Sequence, residues 1–121
     1  ENKLRWYGAG APPAFIFSQN LEPQTVSALG RAIGSGAEAE IGLKEMKFSP
    51  GDRVAIFTDG IYEQLGHQGN QLGLRRLQEA FLESYTEDPA THRSQFVTHF
   101  DRFRGINSIK DDLTVLFLDA T

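Results

Sequence analysis

The sequence contains no cysteine among its 121 residues, and this absence excludes two kinds of structure. Without thiols there is neither a disulfide framework nor a thiolate site for a metal ion. No apolar run approaches the roughly 20 residues that a membrane-spanning helix needs, and the first residues lack the charged start and apolar middle of a signal peptide. We therefore expect a cytoplasmic protein with no membrane insertion in this segment.

A dense cluster of basic residues is also missing. The chain has 12 Lys and Arg against 16 Asp and Glu, which gives a net charge of −4. Binding to nucleic acid or to an anionic membrane needs several clustered cations, so neither partner is expected. The hydrophobic content of 40% is ordinary for a globular protein, and the length fits one domain or part of one.

Apolar patterns predict strands in the first half of the chain and at its end. A turn rich in glycine and proline separates the first two strands, which indicates a meander. The third strand is half-buried with an irregularity near Lys44, and the last is a continuous apolar run typical of a strand covered on both faces. The main predicted strands are residues 4–7, 14–17, 41–48, 53–57 and 113–118.

Helices are predicted between the last two strands. After a short helical turn at residues 61–65, apolar residues spaced by three or four predict an amphipathic helix over about 73–84. A second helix is expected after Asp88, which can cap it, with Pro89 in the first position and Gly105 just beyond its end. Strands, helices and a returning strand together indicate an α+β layered domain.

Two acidic residues lie at ends of predicted strands. Asp59 follows the strand at 53–57 and is itself followed by Gly60, while Asp111 and Asp112 precede the strand at 113–118. If these strands are neighbours, both carboxylates meet at one edge of a sheet, where they repel unless a proton or a cation intervenes. Mg²⁺ or Mn²⁺ suits such oxygen ligands. Alternatively, each acidic residue belongs to an ordinary turn and bonds nearby backbone amides.

The motifs in their order resemble one family. The chain is similar to the C-terminal half of a stage II sporulation protein E type phosphatase, in the bacterial branch of the metal-dependent (PPM) phosphatases related to protein phosphatase 2C. The resemblance covers nearly the whole chain. It rests on Gly8-Ala9-Gly10-Ala11-Pro12-Pro13, Phe48-Ser49-Pro50-Gly51-Asp52, Phe57-Thr58-Asp59-Gly60-Ile61-Tyr62-Glu63, Leu72-Gly73-Leu74-Arg75-Arg76-Leu77 and Asp111-Asp112-Leu113-Thr114-Val115.

This resemblance implies part of a four-layer α/β/β/α sandwich with antiparallel sheets and a two-metal centre. It implies that Asp59 and Asp111 are ligands of Mn²⁺ or Mg²⁺. From their positions in the sequence, Gly60, Asp112 and Glu63 are expected to lie around these ligands without binding the metal directly. Glu63 has a second interpretation, as an acid favoured at a helix start by the helix dipole. The implied activity is a protein serine/threonine phosphatase that hydrolyses phosphomonoesters with a metal-bridged water. No catalytic residue beyond the metal ligands is implied.

The family also carries an early aspartate that bridges both metals, and no residue in 1–48 matches its motif. We therefore expect residues 1–121 to be the C-terminal portion of a single phosphatase domain, inactive alone and active in the parent protein. The resemblance implies a phosphoserine substrate of the anti-sigma-factor antagonist type in bacterial signalling, and an upstream sensor or receiver domain. The alternative is a non-catalytic partner-switching module that keeps the fold.

Two histidines lie in the second predicted helix. His92 and His99 are seven residues apart and share a helix face. No carboxylate stands at a metal-ligand spacing from them, so we expect surface positions for both.

Overall fold

The structure is a computed structural model that describes residues 2–19, 22–36, 38 and 40–121. Two compact units are present: the first runs up to Ile56 and includes Leu116–Thr121, and the second is Phe57–Val115. Within the described residues no helix is long and apolar enough to cross a membrane. The elements are β1 (Lys3–Gly8), β2 (Ala14–Phe17), β3 (Gln24–Val26), β4 (Gly42–Lys47), β5 (Arg53–Phe57), α1 (Asp59–Glu63), α2 (Gly73–Glu83), α3 (Pro89–Arg104) and β6 (Val115–Asp119).

The strands form two sheets. β1 pairs with β4 in an antiparallel sheet of two strands, and the other sheet has the order β3-β2-β5-β6. Because β1 and β2 belong to different sheets, the predicted meander is wrong. The connection after β1 contains Gly10 at a φ of 79°, a left-handed conformation that glycine adopts readily, and the Gly10 amide donates to the Gly30 carbonyl oxygen at 3.0 Å. The predicted irregularity near Lys44 is also wrong, since the register with β1 is continuous from Lys3 opposite Lys47 to Gly8 opposite Gly42.

One core cluster of the first unit lies on alternate residues of β2. Ala14 and Ile16 of β2 are buried together with Val26 and Val54, as expected for side chains that point to one face of a sheet. Partly buried apolar side chains cover this cluster, namely Leu4, Trp6, Met46, Phe48 and Ile56. The three strand pairs β1–β4, β2–β3 and β2–β5 are antiparallel. This confirms the expected α+β class with antiparallel sheets.

The last strand departs from its prediction. β6 begins at Val115, two residues later than expected, and lies at the end of its sheet among the described residues. The side chains of Leu116 and Leu118 are 50% and 44% exposed, so the strand is not covered on both faces. An apolar run shows that a segment can be buried, but it does not show what covers it.

The second unit is built on a helix pair with an aromatic centre. Leu77 and Phe81 of α2 and Phe96 and Phe100 of α3 are buried, and the ring centroids of Phe81 and Phe96 are 4.4 Å apart. This packing uses the predicted amphipathic face, on which apolar side chains recur every three or four residues.

The ends of α3 follow the sequence signals. The Asp88 side chain accepts a hydrogen bond from the Thr91 amide at 2.9 Å, and Pro89 occupies the first helical position. At the other end Gly105 adopts a φ of 57°. The predicted cap, first residue and stop are all confirmed, because each depends on contacts within a few residues.

His92 is fully buried, so its predicted surface position is wrong. Its Nε2 lies 2.9 Å from the carbonyl oxygen of Phe81, and its ring packs edge-on against Phe81 and Tyr85. The physical reason is helical spacing: position 92 precedes Phe96 by four residues and therefore lies on the buried face of α3. His99 is partly exposed, and its Nδ1 lies 3.7 Å from the Glu83 carboxylate.

Candidate metal centre

The first acidic segment forms a single helical turn directly after β5. Thr58 keeps an extended backbone, with φ −84° and ψ 158°, and α1 then runs over Asp59–Glu63. The helix begins two residues earlier than predicted, which places Asp59 in its first turn. Asp59 and Glu63 are four residues apart, so their side chains lie on the same face of the turn.

Three carboxylates meet at this point. One oxygen from each of Asp59, Glu63 and Asp111 lies within 4.8 Å of the others, and all three residues are exposed. The structure thus brings together Asp59 and Asp111, as the strand-end argument expected. It adds Glu63, which the sequence analysis placed beside the ligands and not among them. Among the described residues this cluster does not include the carboxylate of Asp112. That these residues bind a metal remains a prediction.

The negative charge of the cluster affects the neighbouring phenol of Tyr62. The pKa of Tyr62 is raised first by burial and then by the negative charges of Asp59 and Glu63. Three close carboxylates repel one another, and a divalent cation relieves that repulsion. Mg²⁺ and Mn²⁺ prefer oxygen ligands, and this donor set consists only of oxygens. The residues present therefore fit a hard divalent cation.

Thr58 holds the second acidic segment against the first. Its hydroxyl donates to the carbonyl oxygen of Asp112 at 3.1 Å and accepts a hydrogen bond from the Thr114 amide at 3.0 Å. Its own amide donates to the Thr114 carbonyl oxygen at 3.1 Å. Sequence reasoning missed this residue. The available signal was a hydroxyl side chain directly before the acidic residue at the strand end.

Gly60 and Asp112 contribute through backbone geometry. A Cβ on Gly60 would lie 2.6 Å from the Asp112 carbonyl oxygen and 3.3 Å from the Asp111 Cβ, so only glycine allows α1 to come this close. The Asp112 amide donates to Oδ1 of Asp111 at 2.8 Å, which orients that carboxylate. Both residues therefore contact the segments that carry the two predicted ligands.

We predict that Thr58→Val lowers the affinity for Mn²⁺ by about 10- to 100-fold, the range typical of residues that orient metal ligands. Valine keeps the branched shape but removes both hydroxyl hydrogen bonds to the 112–114 backbone. Thr58→Ser is the matched control, because it keeps the hydroxyl, and its affinity should stay within a few-fold of the original. Calorimetric Mn²⁺ titration measures both. Equal affinities for the valine and serine variants would contradict the positioning role.

Comparison with known families gives a match over the whole chain. The family model described as Stage II sporulation protein E (SpoIIE) matches residues 1–121. A search of curated protein sequences found no match.

Three solved structures share the fold of the chain over nearly its whole length. The SiaA-PP2C domain of Pseudomonas aeruginosa has a TM-score of 0.82 at 25% identity, over 99% of this chain and 47% of that one. The Mn-presoaked phosphatase domain of SpoIIE from Bacillus subtilis has a TM-score of 0.72 at 21% identity, over 97% of this chain and 50% of that one. The RsbU and RsbW domains of Rv1364c from Mycobacterium tuberculosis have a TM-score of 0.76 at 21% identity. The match covers 98% of this chain and 32% of that one.

The chain therefore spans half or less of the length of these solved chains. The arrangement of helices and antiparallel sheets in it is that of the PP2C-type phosphatase domains, of which it represents a part. Since the family model covers every residue, the chain belongs to the stage II sporulation protein E (SpoIIE) family.

Proposed function

We propose that this chain supplies part of the active site of a Mn²⁺- or Mg²⁺-dependent protein serine/threonine phosphatase. The observation that carries the proposal is the meeting of Asp59, Glu63 and Asp111 within 4.8 Å on a PP2C-type fold. Acidic side chains repel at such distances, so a folded chain that gathers three of them favours a cation between them.

The chain's own residues bind and orient in this proposal. Asp59, Glu63 and Asp111 hold the cation, while Thr58 and Gly60 fix the spacing of the two acidic segments. A bound divalent cation neutralises charge on the phosphoryl oxygens and lowers the pKa of a water nucleophile. No protein nucleophile is required, which agrees with the absence of cysteine.

We further propose that residues 1–121 form the C-terminal portion of a single phosphatase domain. The similarity to solved domains of about twice the length supports this, as does the lack of a match in residues 1–48 to the family's metal-bridging aspartate. The substrate proposed for the parent protein is a phosphoserine of an anti-sigma-factor antagonist. A sensor or receiver domain upstream and a cytoplasmic location belong to the same proposal.

The test compares the full-length protein with residues 1–121 alone, using p-nitrophenyl phosphate with and without Mn²⁺. We expect Mn²⁺-dependent hydrolysis by the full-length protein, abolished by a chelator, and at least about 100-fold less by residues 1–121, because a bridging ligand is missing. Equal activity of both would contradict the partial-domain proposal. A folded full-length protein that is inactive with Mn²⁺ and with Mg²⁺ would contradict the phosphatase proposal and favour a binding module.

A further inference from the structure

A cavity of about 280 Å³ opens beside the carboxylate cluster, entirely within the second unit. It shares Gly60, Glu63 and Asp111 with the candidate metal centre. The remaining lining residues are mostly polar and come from the segments after α1 and after α3, namely Gln64, Leu65, Gln71, Asn107, Ser108 and Lys110. A group bound in this cavity would lie next to the site of hydrolysis.

Hydrogen bonds tie the two walls of the cavity together. Nε2 of Gln64 donates to the Ser108 carbonyl oxygen at 3.3 Å, and Nδ2 of Asn107 donates to the Gly66 carbonyl oxygen at 2.7 Å. Gln64 itself is buried, and its carbonyl oxygen accepts from the Leu72 amide at 2.9 Å. These bonds fix the loops after α1 and α3 relative to each other, so the cavity is formed before anything binds.

Three side chains of the lining remain available. Across the described part of the chain, no hydrogen bond or ion pair engages the side chains of Gln71, Ser108 or Lys110, and all three residues are exposed. A carboxamide and a hydroxyl pair well with the amides and carbonyls of a polypeptide, and the exposed side of Leu65 adds an apolar contact. Lys110 is the one cation among the lining residues.

The size of the cavity argues for more than a phosphoryl group. Its volume equals that of about nine water molecules at roughly 30 Å³ each. If the phosphoryl group of a substrate lay at the carboxylates, most of this space would remain for the substrate polypeptide that carries the phosphoryl group. The lining carries one ammonium, that of Lys110, and the carboxylates of Glu63 and Asp111, whereas a dedicated phosphate site gathers several cationic donors. A divalent cation held by the carboxylates would offset their charge and leave Lys110 as the charge that the lining presents to a bound segment.

We propose that this cavity holds the polypeptide segment next to the phosphoserine, and that Lys110 selects substrates with an acidic side chain in that segment. The proposal rests on the proposed phosphatase function and adds the class of substrate, an acidic phosphopeptide. An ammonium at a half-open site attracts a carboxylate and repels another ammonium, and such exposed pairs change affinity by up to about fivefold.

The test uses three phosphoserine decapeptides that differ only in their flanking residues, which are Asp, Ala or Lys. In the full-length protein with Mn²⁺ we expect kcat/KM for the Asp-flanked peptide to exceed that for the Lys-flanked peptide by about fivefold. Lys110→Glu should reverse this order. Gln71→Ala should lower kcat/KM to a similar extent for all three peptides and keep their order. Fluorescence polarisation with Mn²⁺ and non-hydrolysable phosphonate analogues of the three peptides measures peptide binding in the absence of turnover and should show the same order.

Each outcome decides a separate point. An unchanged flank preference in Lys110→Glu would overturn the role of Lys110. If Lys110→Glu lowers kcat/KM by the same factor for all three peptides and for p-nitrophenyl phosphate, Lys110 contacts the phosphoryl group. This result too would overturn the proposal. If the wild-type protein hydrolyses neither peptides nor p-nitrophenyl phosphate, the phosphatase function fails, and the flank preference in the binding of the phosphonate analogues with Mn²⁺ still confirms or overturns the peptide site.

Discussion

Asp111→Asn should lower the affinity for Mn²⁺ by at least about 100-fold and reduce phosphatase activity of the full-length protein by a similar or larger factor. The substitution removes one of the three carboxylates whose oxygens lie within 4.8 Å of one another. Loss of a direct ligand exceeds the 10- to 100-fold effect of residues that only orient ligands. Calorimetric titration with Mn²⁺ gives the affinity, and hydrolysis of p-nitrophenyl phosphate gives the activity.

The neighbouring residue provides the control. Asp112→Asn makes the same chemical change one position later, but the Asp112 carboxylate lies outside the cluster found in the described residues. We expect its Mn²⁺ affinity to stay within about threefold of the original, since a nearby charge outside the ligand set acts only through a screened field. Equal losses for both variants would show that total negative charge, and not this cluster, attracts the cation.

A second readout separates repulsion from folding defects. Without metal, Asp111→Asn should melt at the same temperature as the original protein or slightly higher, because one of three repelling charges is gone. An asparagine oxygen can still accept the hydrogen bond that Oδ1 of Asp111 accepts from the Asp112 amide at 2.8 Å. A large drop in melting temperature would show instead that Asp111 acts mainly in folding.

Asp119→Ala should lower the free energy of unfolding by about 3 kcal/mol, the low end of the range for breaking a buried ion pair. Asp119 accepts two hydrogen bonds from the Arg53 guanidinium, from Nε at 2.5 Å and from Nη2 at 2.8 Å. The Arg53 side chain is only 2% exposed, while that of Asp119 is 37% exposed. Removing the carboxylate takes two charge-assisted hydrogen bonds away from a buried guanidinium, and the partial exposure of Asp119 keeps the loss at the low end.

An exposed pair of similar length serves as the control for this loss. Nε of Arg5 lies 2.8 Å from Oε1 of Glu45, with side chains that are 63% and 41% exposed. Glu45→Ala should change the free energy of unfolding by less than about 0.5 kcal/mol, because water screens both charges. Urea unfolding of the two variants measures the difference. Similar losses in both would mean that burial of the Arg53 guanidinium contributes little.

The sequence predicts best what short-range chemistry decides. The cap of α3 at Asp88, the proline at its first position and its stop before Gly105 all depend on neighbours within four residues. β2 and β5 occur at the predicted residues because their apolar runs are bounded by turn residues. Of the candidate site, the proximity of Asp59 and Asp111 follows from their positions at strand ends.

What the sequence did not predict depends on partners far along the chain. β1 pairs with β4 and not with β2, and nothing in either strand names its partner. Thr58 acts through bonds to residues 54 and 56 positions later, and its place before Asp59 does not show which backbone groups its hydroxyl reaches. Glu63 belongs to the cluster because α1 begins at Asp59, which places both side chains on the same face of the helix.

The hydrogen bonds between Thr58 and Thr114 also bear on how the chain folds. They close a loop whose ends carry Asp59 and Asp111, residues 52 positions apart. Closing a flexible loop of that length costs about 3.5 kcal/mol of chain entropy. Since backbone pairing closes the loop, a cation meets ligands that are already assembled and need not offset that entropy. A chelator should consequently leave the helices between those two residues folded.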